Sequence, residues 1–104
     1  MSLDSVLNRI DDQLPSALER LKELMRIPSI STDPAYDDDC DRAAAWLVKD
    51  LQSIGIEAET RKTPGRAMVV GHFNGSEAAN TPHVLFYGHY DVQPVDPLDL
   101  WDTP

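Results

Sequence analysis

Cysteine occurs once in these 104 residues, at Cys40. No disulfide can form within the chain, and no multi-cysteine zinc knot can be built from it. Basic residues are also scarce. Nine Lys and Arg stand against eighteen Asp and Glu, a formal net charge of −9. Nucleic-acid binding neutralises phosphates with basic side chains, and docking on an anionic membrane uses the same charges. Neither class of partner is expected here. An acidic surface favours solubility and is compatible with cation binding, and a solvated face accounts for most of these carboxylates. No apolar run is long enough to span a bilayer. The opening stretch, MSLDSVLNRIDDQL, lacks the basic segment and apolar run of a secretory leader. The expected compartment is therefore the cytoplasm. Internal repeats and low-complexity tracts are absent as well. The length suits one modest core rather than a large cleft built from many elements.

What is present begins with helical periodicity. Leu3, Val6, Leu7, Ile10, Leu14, Leu18, Leu21, Leu24 and Met25 recur at helical spacing. Pro15 lacks a backbone donor and crowds the carbonyl four residues back, which predicts a kink or break near Gln13–Pro15. Pro28 pushes Ile27 out of the helical region and ends the run. Ser29–Pro34 then reads as a loop. A second helix is expected to start between Asp33 and Asp38. Asp33 or Thr32 can cap it, and Pro34 is tolerated in a first turn. Asp37, Asp38, Asp39 and Asp41 suit the positive end of its dipole. Its inward stripe would be Cys40, Ala43, Ala44, Leu47, Leu51 and Ile54, with Gly55 closing the helix.

Three strand-like runs follow, Ile56–Thr60, Ala67–Phe73 and His83–Tyr87. Thr63-Pro64-Gly65 between the first two predicts an antiparallel hairpin. Asn74–Pro82 reads as a polar loop. Val84–Tyr87 is apolar without alternation, the pattern of a strand buried on both faces. Val92–Pro104, rich in Pro and Asp, reads as an ordered loop. Two helical segments followed by at least three strands imply an α/β layered architecture. Chains rarely stop just after their most buried strand, so residues 1–104 read as the amino-terminal part of a larger catalytic domain.

The chemistry is concentrated where the apolar run ends, at Gly88-His89-Tyr90-Asp91. In extended backbone alternate side chains share a face, so His89 and Asp91 should project together with Tyr90 opposite. One imidazole nitrogen can bind zinc. The other usually donates to a carboxylate or carbonyl that fixes the tautomer. The end of a central strand is also where α/β proteins place their sites. His-x-Asp alone leaves two readings open: a metal-binding pair, or a strand-end histidine making ordinary hydrogen bonds beside a turn aspartate.

The surrounding residues narrow this. Gly88-His89-Tyr90-Asp91-Val92-Gln93-Pro94, followed by Asp96-Pro97-Leu98, Leu100 and Trp101, closely resembles the first metal-site motif of the M20 metallopeptidases. The likeness is greatest to the dipeptidase, carnosinase-like branch. The acetylornithine deacetylase and succinyl-diaminopimelate desuccinylase branch shares a Gly-His-x-Asp-Val but typically differs over Gln93–Leu100. Leu24–Ser31 (LMRIPSIS) resembles the family's early helix-to-loop segment, and Ala43–Leu47 with Leu51 and Gly55 resembles its second helix.

The resemblance implies a metal-dependent hydrolase of dipeptide-like bonds, or of N-acyl amino acids. It implies a two-metal, usually zinc, centre with His89 as one ligand. Asp91 would be the active-site carboxylate that orients His89. The other ligands and the general base of such enzymes lie further on than residue 104, as does a second domain. A small peptide is the implied substrate, and a homodimer is compatible with the full-length form. A non-catalytic binding or structural module is the alternative from a different class.

Other candidates have plainer readings. His72 and His83 lack a carboxylate at a matching position and read as structural or surface residues. Cys40 falls on the inward helix stripe and reads as a small core residue. Ser29 and Ser31 carry no local nucleophile signature. Trp46 and Trp101 read as packing residues. Asp37–Asp39 lack the spacing of a calcium loop and fit a helix amino terminus.

Overall fold

The structure, a computed structural model, describes residues 1–75 and 80–103. The first helix, α1, spans Leu3–Met25. Ser2 caps it: its hydroxyl oxygen accepts from the Ser5 amide at 3.1 Å. Asp4 lies in the first turn and Lys22 in the last, each at the favourable end of the dipole. Of the kink or break expected near Gln13–Pro15, the break does not occur. α1 runs unbroken through Pro15 with no buried residue along its length. On an exposed helix the carbonyl that Pro15 leaves without an amide partner faces water, which removes much of the reason to interrupt the helix.

Pro28 does end the run, and the chain turns tightly: the Ser29 amide donates to the Ile27 carbonyl and the Ile30 amide to that of Pro28, both at 2.8 Å. A short 3-10 turn, Pro34–Tyr36, leads into the second helix. Asp33 caps that turn through the Ala35 amide at 2.9 Å. The second helix, α2, spans Asp37–Ser53 with three aspartates in its first turn. Gly55, at φ +84°, supplies the left-handed residue that follows it.

The hairpin is as expected. Strand β1, Glu57–Arg61, pairs antiparallel with β2, Met68–His72, with Glu57 opposite His72 and Arg61 opposite Met68. The sheet lies against α2. At Gly71 a side chain would meet Ile56 Cγ2 at 2.9 Å and Leu51 Cδ1 at 3.5 Å, so the absence of one lets α2 and the sheet approach.

Among the described residues the core is small and drawn from the stretch between Ile27 and Ala44. Ile27, Ile30, Cys40, Ala43 and Ala44 are buried, together with Ser29. The predicted stripe of α2 is thus buried only in its amino-terminal half. Leu47 and Leu51 are half-buried, and Ile54 is 62% exposed. Cys40 is fully buried, and burial pushes its thiol pKa up, so it behaves as a core residue.

The order of two helices followed by a sheet is as the sequence implied, but where at least three strands were expected the described residues form two. Val84–Tyr87 forms no ladder among the described residues, and its four side chains are 72% to 94% exposed. A strand apolar on both faces needs a hydrogen-bonded neighbour and a packed layer on each side. A two-stranded hairpin already backed by α2 supplies neither. Val92–Thr103 contains a 3-10 turn, Leu98–Leu100, and Trp101 Nε1 donates to the Val95 carbonyl at 2.8 Å. The polar-loop reading of Asn74–Pro82 falls partly on residues 76–79, outside those described. Among the described residues no helix is long and apolar enough to cross a membrane.

Candidate functional site

The segment after α1 and the segment after Val84–Tyr87 meet side by side. Ile30 and Val92 form a parallel bridge, and the Val92 amide donates to the Ser29 carbonyl at 3.0 Å. Ser29 Oγ donates to the Tyr90 carbonyl at 2.8 Å. Alternation then places Ser31 alongside Asp91, and Ser31 Oγ donates to Asp91 Oδ2 at 2.5 Å. That length is typical of a hydroxyl bonded to an ionised carboxylate.

His89 and Asp91 come together as the alternation predicted. His89 Nδ1 lies 2.7 Å from Asp91 Oδ1. Asp91 therefore takes Ser31 on one oxygen and His89 on the other. The Ser31 hydroxyl first, and the His89 hydrogen bond second, hold its carboxyl pKa below the ordinary range. An ionised carboxylate only accepts, so Nδ1 carries the proton and donates it. In the neutral ring the lone pair then lies on Nε2. The His89 side chain is 74% exposed, so the ring is open to solvent.

Tyr90 points away from this pair and anchors the segment. Its hydroxyl donates to the Ala67 carbonyl at 2.6 Å, and burial raises its pKa. Arg66, one residue earlier, donates from Nε and an NH2 nitrogen to the Ser31 carbonyl at 3.2 and 3.0 Å. Its other terminal nitrogen pairs with Asp37 Oδ1 at 2.5 Å. The hairpin turn is thereby tied to the start of α2 and to the loop after α1.

The other histidines are not drawn in: His72 closes β2 and His83 is exposed. Ser29 and Ser31, set aside as nucleophiles, are the residues that the sequence reading missed as supports. A signal for them existed in Leu24–Ser31, which matched the family pattern as a segment without pointing to a serine. Arg66 and its partner Asp37 carried no local pattern at all.

As a donor set the pair fits one ligand position for zinc: an imidazole whose tautomer is fixed by a carboxylate. It does not make a cage. Among the described residues no three His, Cys, Asp or Glu side chains gather as a metal cluster.

No family model matches the chain. Its relatives nevertheless include metallodipeptidases and a desuccinylase. It is 32% identical, over 99% of its length, to the Cys-Gly metallodipeptidase DUG1 of Candida albicans. It is 33% identical, over 85% of its length, to the succinyl-diaminopimelate desuccinylase of Bordetella pertussis. The solved dipeptidase Dug1p of Saccharomyces cerevisiae superposes with a TM-score of 0.83 at 29% identity, over 98% of this chain and 23% of that one. Over nearly its whole length the chain is thus similar to part of these enzymes. It spans 24% of the length of the Candida relative and 21% of the Bordetella one.

Proposed function

We propose that this chain supplies part of the metal site of a metal-dependent hydrolase of dipeptide-like bonds, with His89 as a ligand and Asp91 as the carboxylate that orients it. The observation that carries the reading is the 2.7 Å contact between His89 Nδ1 and Asp91 Oδ1, in a chain homologous to metallodipeptidases. Zinc, in a two-metal centre, is the proposed cofactor. Such a metal supplies a Lewis acid for the scissile carbonyl and a water of lowered pKa.

The chain's own residues prepare for that chemistry. Asp91 holds the Nδ1 proton and so keeps the Nε2 lone pair available. Tyr90, fastened to Ala67, keeps the backbone between His89 and Asp91 from turning. One imidazole and one carboxylate do not close a site, so the proposal requires further ligands and a base from outside these residues. A second reading keeps the site and changes the substrate to an N-acyl amino acid. The desuccinylase relative favours it.

The test separates the two roles in the protein encoded by the whole reading frame that carries these codons. His89→Ala removes a ligand, so occupancy of one metal position should fall sharply along with hydrolysis. Asp91→Asn keeps the shape and should retain most of the metal while costing about 10–100-fold in affinity or activity. Metal analysis beside a melting curve for each variant decides. Wild-type metal content and affinity in His89→Ala would remove His89 from the ligand set.

A further inference from the structure

The Asp91 carboxylate is held from two sides, and only one of them has a role in the reading above. With His89 as its sole partner, the carboxylate could pivot about its own side-chain bonds and carry the imidazole with it. A second bond on the other oxygen fixes the plane of the carboxylate. Ser31 makes that bond at 2.5 Å.

Ser31 is itself held. Its carbonyl accepts two bonds from Arg66, and Arg66 is braced by Asp37 at the start of α2. Two residues earlier Ser29, on the same side of the segment, binds the backbone on either side of Asp91 through the Tyr90 carbonyl and the Val92 amide. Ser29 and Ser31 thus divide the work: the hydroxyl and carbonyl of the first fix the backbone of the 90–92 segment, and the hydroxyl of the second fixes its functional carboxylate.

The order of the groups is Ser31, Asp91, His89, with the aspartate in the middle. The imidazole cannot take the proton of Ser31, because Nδ1 is engaged by the same carboxylate that accepts from Ser31. An activated nucleophile needs the histidine between serine and aspartate. Ser31 is therefore a support and not a nucleophile.

We infer that Ser31 is a positioning residue for the His89–Asp91 pair, and that Arg66 fixes Ser31 in turn. The inference rests on the reading of His89 as a metal ligand. A support of this kind acts on metal affinity and on the state of the imidazole, beyond any effect on folding. Ser31→Thr keeps the hydroxyl, Ser31→Ala removes it, and Arg66→Met removes the clamp on the Ser31 carbonyl.

The experiment uses the protein from the whole reading frame. Three quantities are measured for each variant: zinc affinity by chelator competition, the 15N resonances of the His89 ring in the metal-free protein, and the thermal melt. Ser31→Ala should weaken zinc binding about 10-fold, the lower end of what outer partners of a ligand typically contribute. It should also move the His89 ring resonances away from the single Nδ1-protonated form. Ser31→Thr should restore both, and Arg66→Met should show a smaller change of the same sign. Wild-type zinc affinity and ring resonances in Ser31→Ala would overturn the inference. So would a loss that follows the melting temperature alone and is not rescued by threonine. If Ser31→Ala does not fold, Arg66→Met with unchanged ring resonances and affinity overturns it equally. The ligand reading fails separately, through unaltered zinc binding in His89→Ala. In that event the ring resonances of Ser31→Ala in the metal-free protein still decide the positioning role.

Discussion

Two stretches that adjoin at Arg26 handle apolar surface in opposite ways. α1 is long and strongly patterned, yet none of its residues is buried, and Leu7, Ile10, Leu14, Leu18 and Leu21 are all about half exposed. The few residues after it are irregular, and Ile27, Ser29 and Ile30 are 8%, 2% and 7% exposed. A visible tether from α1 to the remainder of the chain is Arg20, which forks onto Asp50 at 2.8 and 2.6 Å. The loop instead is stitched to Tyr90, Asp91, Val92 and Arg66 by backbone and side-chain bonds. Periodicity marks where a helix can form. Closure of hydrogen bonds around buried residues marks where the chain holds itself together, and the candidate site stands on that closed part.

The sharpest way to break this contrast is Ser29→Ala. The hydroxyl is 2% exposed as part of its residue and donates to the Tyr90 carbonyl. Removing it leaves that carbonyl without its donor, which typically costs about 1–3 kcal/mol. Chemical denaturation of the 104-residue chain followed by circular dichroism should show a loss in that range. No loss would mean that the 27–31 and 90–92 segments are not the stable part of the molecule.

That asymmetry also explains what could be read in advance. The hairpin was legible because Thr63-Pro64-Gly65 and the flanking β-formers act locally. Gly55 as the end of α2 was legible because a left-handed residue favours glycine. His89 and Asp91 were legible because a period of two operates within three residues. The support was not. Ser31 to Asp91 spans 60 residues and Arg66 to Ser31 spans 35, so no window of sequence contains either pair. Two expectations failed for a different reason: each depended on environment. Pro15 removes one amide donor, but in the exposed α1 the carbonyl it frees can bond to water, and the helix continues through it without a break. The Val84–Tyr87 run describes a strand with neighbours on both faces, and none is present among the described residues.

A smaller effect is expected at the contact between α2 and the sheet. Gly71→Ala would place a methyl 2.9 Å from Ile56 Cγ2 and 3.5 Å from Leu51 Cδ1. The branched end of Ile56 must move, and Leu51 stands behind it. Overpacking of this kind costs about 1–3 kcal/mol. The half-exposed setting puts Gly71 near the lower end, because Ile56 can shift toward solvent. A gain in stability would show that α2 and the hairpin are loosely apposed, and that the closed region is confined to the loop.

The smallest effect belongs to α1. Ile10 is 56% exposed and sits in the middle of the apolar stripe. Ile10→Gln exchanges a β-branched residue for one with slightly better helix propensity, and it removes little buried surface. Surface substitutions of this type usually stay within about 0.5 kcal/mol of the parent. The same denaturation measurement on the 104-residue chain should therefore find Ile10→Gln indistinguishable from the parent or marginally more stable. The paired measurement with Ser29→Ala makes the result decisive. If α1 is as uncovered as its exposure indicates, the two variants separate by at least the value of a buried hydrogen bond, about 1 kcal/mol. A loss at Ile10 as large as that at Ser29 would mean that the stripe of α1 is covered in solution, by the chain itself or by a second copy. Repeating the pair at two protein concentrations distinguishes these, since only cover by a second copy makes the loss depend on concentration.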